Sequence, residues 1–161
     1  ADLSAVHLVL VGSGAGQVIS IEEKLREAAG EGPLRGRVTF TGRVDNVAAF
    51  LQASDIFAFP TLDEALGMSA VEAQACGLPA VASRTGGVPD IIEDGVTGIL
   101  AAPGDADALA RGLRALVENA DLRRRYAEAA RRRMHERFAI DTMISRYAEL
   151  FRSLSQRAVT A

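Results

Sequence analysis

The chain has 161 residues, 48% of them hydrophobic, which is one domain's worth and enough to bury about two thirds of the unfolded surface. A formal net charge of −3 argues against nucleic acid as the main partner, and a single cysteine excludes an intrachain disulfide and fits a reducing cytoplasm. No apolar stretch approaches the ~20 residues a membrane-spanning helix needs, and the N-terminus lacks the basic region and apolar run of a signal peptide.

In chain order, strands and helices alternate. His7 to Val11 is a short apolar run that stops at Gly12, as expected of a strand buried on both faces. Glu22 to Ala29 reads as a helix, and Arg37 to Thr41 as a β-branched strand stopping at Gly42. Val47 to Ala53 repeats apolar residues at helical spacing, and Asp55 to Phe59 is a third strand. A helix over Gly67 to Cys76 follows, then a strand over Ala80 to Ala82, a helical turn over Val88 to Glu93 and a last strand over Gly98 to Ala101. Beyond Pro103 the pattern is helical: Asp105 to Asn119, Asp121 to Arg137, and Ile140 to about Leu154. Asp105 and Asp121 stand where N-caps are expected, beside the positive end of the helix dipole.

Strand–helix alternation with short connections implies right-handed crossovers and a parallel sheet. The expected fold class is α/β: a Rossmann-like parallel sheet with helices on both faces and a helical C-terminus. With no internal repeat or linker, residues 1–161 are taken as one domain. Ligands bind such sheets beyond the carboxyl ends of the strands. Gly12, Gly42, Glu64 and Gly86-Gly87 all follow strands, so they are expected on that edge.

The densest chemistry lies between Phe59 and Pro79, where Glu64 precedes a helix start and Glu72 sits inside the same helix, eight residues later. Unpaired N–H groups at a helix start make an anion or hydroxyl site, and Gly67 offers no side chain to obstruct a ligand. An ionised Glu64 could accept from two sugar hydroxyls, and Glu72 from a ribose diol. The bland alternative is that Glu64 merely favours the dipole and Glu72 is a solvated helix residue.

The flanks weigh against that alternative. The segment from Asp55 to Ala82 resembles the donor-binding stretch of glycosyltransferase family 4, retaining enzymes of the GT-B fold. The likeness continues through Gly86-Gly87-Val88-Pro89-Asp90-Ile91-Ile92-Glu93-Asp94-Gly95-Val96-Thr97-Gly98-Ile99-Leu100 and Pro103-Gly104-Asp105, and it includes Val11-Gly12-Ser13-Gly14 and Val38 to Val44. It covers nearly the whole chain in order.

The resemblance implies a role for each matching position. Glu64 lies by the donor sugar and is the catalytic candidate, while Glu72 hydrogen-bonds the nucleotide ribose. Backbone N–H groups around Leu66, Gly67 and Met68 contact the sugar or diphosphate. The turn at Gly42, Arg43 and Val44 holds the base through its main chain, and Gly12 joins the donor-binding set. Many members have an aromatic residue where this chain has Leu66, a change that spares a backbone contact but not a ring contact.

Other signals carry less. Gly12-Ser13-Gly14-Ala15-Gly16 fails the dinucleotide fingerprint because its last glycine falls one residue early, with Gln17 in its place. Arg123-Arg124-Arg125 and Arg131-Arg132-Arg133 interleave with Glu128 and Glu136, as expected of a solvated helix face. A contact with anionic lipid headgroups is the sharper alternative. Cys76 is expected in the core and His7 in a structural role. No metal-ligand spacing and no nucleophile elbow occur, so neither a metal nor a cofactor is expected.

In the resembled family an arginine and a lysine clamping the diphosphate come from a loop upstream of anything in this chain. The chain is therefore expected to be a fragment: the C-terminal half of a GT-B fold with its first strand apparently missing and no N-terminal acceptor-binding domain. Alone it is expected to bind nucleotide sugar weakly, without turnover, and its uncovered sheet edge would invite a homodimer. The implied reaction moves a hexosyl group from a nucleotide-diphosphate sugar to a glycan or lipid-linked acceptor, in the cytoplasm or peripherally at the inner face of the membrane. Two rivals stay open: a nucleotide-sugar epimerase-like GT-B domain, and a non-catalytic nucleotide-sugar-binding subunit.

Overall fold

The computed structural model describes residues 6–15 and 20–159 and separates into two units, Ala1–Ala53 and Ser54–Ala161. In the first, strand β1 (Leu8–Val11) is followed by helix α1 (Glu22–Gly30), a 3-10 turn (Gly32–Leu34), strand β2 (Val38–Gly42) and helix α2 (Val47–Gln52). β1 and β2 pair in parallel, Leu8 opposite Val38 and Leu10 opposite Phe40, with a register shift between Leu10 and Val11. The pair closes where the Gly12 N–H donates to the Gly42 carbonyl at 2.9 Å. Asn46 caps α2 by accepting from the Ala49 N–H at 3.1 Å. Burial of β1 on both faces is not realised: Leu8, Val9 and Val11 are exposed, and neither α1 nor α2 has a buried residue to cover the faces of the two-stranded sheet.

The second unit contains β3 (Phe57–Phe59), α3 (Met68–Ala75), β4 (Ala80–Ser83), α4 (Val88–Ile91), β5 (Gly98–Ala101), α5 (Ala106–Glu118), α6 (Ala120–Arg137) and α7 (Ile140–Val159). Its three strands form a parallel sheet in the order β3-β4-β5. β4, the central strand, is buried throughout, and its residues alternate between two cores as the pleat dictates. Ala80 and Ala82 pack with Ala70, Val88, Ile91, Ile92 and Met134, while Val81 packs with Leu116 and Tyr126. Helices thus cover both faces, and α6 reaches both cores through Tyr126 and Met134. Full burial of Val81, Val88, Ile91 and Ile92 contributes about 1.5–3 kcal/mol each.

The caps show where local rules hold and where they shift. Asp105 caps α5, accepting from the Ala108 N–H at 2.8 Å. Asp121 is not the cap of α6; that role belongs to Asn119, which accepts from the Leu122 N–H at 2.9 Å. Asn119 is extended and is the only residue between α5 and α6, so it ends one helix and starts the next. Asp121 falls in the first turn of α6 and pairs with Arg124.

Candidate functional site

β3 ends at Phe59, and the chain then crosses the carboxyl edge of the sheet to enter α3. Glu64 folds back on its own loop: its Oε1 accepts from the Leu66 N–H at 3.3 Å and the Gly67 N–H at 3.0 Å. Gly67 is the N-cap of α3 and adopts φ of 93°, in the left-handed region. The helix then starts with the Ala70 and Val71 N–H groups donating to the Gly67 carbonyl. The Met68 and Ser69 N–H groups have no partner among the described residues, so they remain the orphan donors of a helix start.

Glu72 lies one turn farther along α3, exposed, with no side-chain hydrogen bond or ion pair among the described residues. The two carboxylates therefore differ: Glu64 is half-buried and fixed through one oxygen, whereas Glu72 is free to accept. Leu62, Leu66 and Met68 are exposed around Glu64, an apolar rim that the loop does not cover itself. Behind this site, the buried Gln74 donates its Nε2 to the carbonyls of Leu78 (2.8 Å) and Thr97 (3.2 Å), tying α3 to the segments that lead into β4 and β5. A polar group buried at this depth orients its helix through those bonds.

The Gly86-Gly87 pair, which follows β4, closes on the Glu64 loop from the other side. The Gly87 N–H donates to the Ala65 carbonyl at 3.1 Å. A Cβ at Gly86, whose φ is 49°, would overlap the Glu64 carbonyl oxygen. One at Gly87 would lie 2.9 Å from the Ala65 oxygen and 3.0 Å from the Leu66 Cα. Sequence reasoning placed the glycine pair on this edge but missed the contact. It also missed the inward turn of Glu64, for which the spacing of Glu64 to Gly67 is a signal: a carboxylate three residues before a glycine N-cap reaches that amide.

The structure brings Glu64, Leu66, Gly67, Met68 and Glu72 together at the start of α3, and Gly12, Gly42, Arg43 and Val44 together beyond the ends of β1 and β2. Gly12 and Gly42 have φ of 125° and 65°. Arg43 is exposed and has no partner among the described residues, while Val44 is half-buried. In the same unit the Glu22 Oε2 accepts from the Gly14 N–H at 2.7 Å, and its Oε1 accepts from the Arg26 guanidinium. The bond from the Gly14 backbone, then those from Arg26, hold the Glu22 carboxyl below the ordinary value of 4.5. Arg26 also lies over the Phe40 ring, 4.3 Å from its centroid. Gly16 and Gln17, the end of the glycine-rich segment, lie outside the described residues.

The arginine clusters are not simply a solvated face. Arg123 donates to the carbonyls of Leu116 and Val117 at the end of α5, and Arg131 donates to that of Cys76 at the end of α3. Arg133 donates to the Asp90 and Ile91 carbonyls and pairs with Glu93 at 2.7 Å, fixing α4. One or two arginines of each triplet therefore compensate carbonyls at helix ends, and Arg124, Arg125 and Arg132 remain exposed. His7 bonds the Thr39 hydroxyl across the β1–β2 pair, the structural role expected of it. Cys76, half-buried, is the C-cap of α3. Among the described residues no helix is long and apolar enough to cross a membrane.

Comparison with known proteins places the chain in a family. Residues 1–133 match the family model of the glycosyl transferases group 1. The chain is 35% identical over 158 residues to D-inositol 3-phosphate glycosyltransferase from Mycolicibacterium paratuberculosis, covering 94% of this chain and 36% of that protein. It is 35% identical over 118 residues to N-acetyl-alpha-D-glucosaminyl L-malate synthase from Bacillus anthracis, covering 73% of this chain and 31% of that protein. It thus spans about a third of the length of these relatives. Among solved structures, HepE from Anabaena in complex with UDP-glucose superposes with a TM-score of 0.83 at 28% identity, over 94% of this chain and 43% of that one. The same protein in complex with UDP gives 0.84 at 29% identity, over 92% and 41%. The expected α/β architecture is the one these solved structures share with the chain. By sequence and by fold, this chain belongs to the glycosyl transferases group 1 family.

Proposed function

We propose that the chain is the donor-binding part of a retaining glycosyltransferase that moves a hexosyl group from a nucleotide-diphosphate sugar to a glycan or lipid-linked acceptor. The observation that carries this reading is the pair of unlike carboxylates at one helix start, one fixed on backbone amides and one exposed and without a partner among the described residues. Glu64 spends Oε1 on its loop, which leaves Oε2 to accept from hydroxyls of the donor sugar. Glu72 accepts from the ribose diol. Of the amides expected to meet the sugar or diphosphate, those of Leu66 and Gly67 already donate to Glu64. The N–H groups of Met68 and Ser69, without a partner among the described residues and with the dipole of α3 behind them, stabilise the diphosphate as negative charge develops on it. In the first unit, taken by itself, Gly42, Arg43 and Val44, with Gly12 beside them, offer main-chain groups suited to a nucleobase.

A uridine nucleotide is the favoured donor class, because HepE, which shares this fold over most of the chain, was solved with UDP and with UDP-glucose. The compartment is cytoplasmic, and a lipid-linked acceptor would bring the enzyme to the inner face of the membrane. In this scheme the metal-free leaving group relies on helix N–H groups and basic side chains. The test is a kinetic split in the enzyme that carries this chain. Glu72→Ala is expected to raise the dissociation constant of the nucleotide, and Glu64→Ala to lower kcat with nucleotide affinity preserved. Wild-type rates and affinities in both variants would overturn the assignment.

A further inference from the structure

We propose that Gly87 is a positioning residue for the donor-sugar loop: it sets where Glu64 stands by letting one backbone rest directly on another. This rests on the donor-binding reading above and names the group that keeps its carboxylate in register.

The loop from Glu64 to Gly67 is held from two sides. On one side its own carboxylate spans the Leu66 and Gly67 N–H groups. On the other, Gly87 donates to the Ala65 carbonyl at 3.1 Å and lies so close that a single added carbon would meet the Ala65 oxygen at 2.9 Å and the Leu66 Cα and oxygen at 3.0 Å. All three of those atoms are backbone, so no side-chain rotation relieves the clash, and the loop itself must move. Gly87 is not a glycine for its dihedral angles: φ of −80° and ψ of −4° suit any residue. Space alone demands glycine there. Gly86 differs, since its φ of 49° adds conformational strain to the same crowding. Because α4 begins at Val88 and is fastened by Arg133, the glycine turn is anchored from behind and the softer partner is the Glu64 loop.

Gly87→Ala therefore displaces Glu64 without straining its own backbone. Displacement at a sugar-contacting carboxylate weakens what the sugar contributes and leaves the nucleotide's share intact. The experiment uses the 161-residue chain, labelled for amide NMR and titrated with UDP and with UDP-glucose. In Gly87→Ala the Leu66 and Gly67 amide resonances are expected to shift, UDP-glucose affinity to fall about tenfold, and UDP affinity to stay unchanged. Unmoved Leu66 and Gly67 resonances, or equal weakening of both ligands, would overturn the proposal. A wild-type chain that responds to neither nucleotide would sink the donor-binding reading, and the proposal with it, while the loop resonances would still show whether Gly87 holds the loop. Should the variant fail to fold, hydrogen exchange in the wild type decides: the Leu66, Gly67 and Gly87 amides are expected to open together. Independent opening of Gly87 would contradict the coupling.

Discussion

Two loops of this chain solve one problem in different ways. After β1, Glu22 accepts from the Gly14 N–H; after β3, Glu64 accepts from the N–H groups of Leu66 and Gly67. Each places a carboxylate on backbone amides just beyond a parallel strand. Glu22 is held there by charge, through its ion pair with Arg26 at 2.7 Å on an exposed helix. Glu64 is held by packing, with Gly86 and Gly87 against its backbone and Ile91 and Phe59 near Gly67. A loop fixed by close-packed backbone keeps its shape as salt is added, whereas one fixed by an exposed ion pair does not. On the donor-binding proposal the sugar meets the packed loop, where geometry has to be kept to a fraction of an ångström.

The comparison is broken most severely at Gly86. Gly86→Ala combines overlap with the Glu64 carbonyl and a left-handed backbone, and is expected to cost about 3 kcal/mol in urea unfolding. Gly95→Ala is the matched control: φ is 75° but a Cβ there meets nothing within 4 Å, so about 1 kcal/mol is expected. Equal losses would remove the packing argument. Next in size, Arg133→Ala strips α4 of a guanidinium bound to two carbonyls and Glu93, at a cost of about 2 kcal/mol, and lysine should recover little of it. Full rescue by Arg133→Lys would show that charge, not the planar fork, anchors α4.

How much of this could be read from the sequence differs between backbone and side chains. Short apolar runs marked all five strands, two of them stopping at Gly12 and Gly42, and Asp105 marked the start of α5, because those signals are local. Asp121 was misassigned since Asn119, two residues earlier, offers the same side-chain acceptor, and only the break between α5 and α6 chooses between them. Arg123, Arg131 and Arg133 looked solvated because their partners, the carbonyls of Leu116, Cys76 and Ile91, are backbone atoms that leave no trace in residue identity. Both glutamates of the site were legible as types at a spacing, but the division of labour between them was not. That division follows from the direction in which Glu64 turns, which depends on Gly67 and the glycine turn behind it.

A smaller effect is expected at Glu64 itself. Glu64→Ala removes the acceptor for two amides and should cost about 1 kcal/mol, with the Leu66 and Gly67 resonances shifted, whereas Glu64→Gln keeps an acceptor and should hold them near wild type. The smallest effect belongs to the first unit. Because the Glu22 carboxyl is lowered in the folded chain, its contribution is fully present above the ordinary value of 4.5 and is lost as pH falls through the lower folded value. Protection of the Gly14 amide is expected to fade over that acid window and to weaken with added salt. Equal weakening of Gly67 protection by salt would erase the distinction between the loops.

The most direct test of the donor-binding claim is calorimetric titration of UDP into the wild-type chain and its Glu72→Ala variant. Binding to the wild type is expected, with about tenfold or greater weakening in the variant, the size expected for losing a charge-assisted hydrogen bond. Identical affinities in the two chains, or no UDP binding to either, would contradict it.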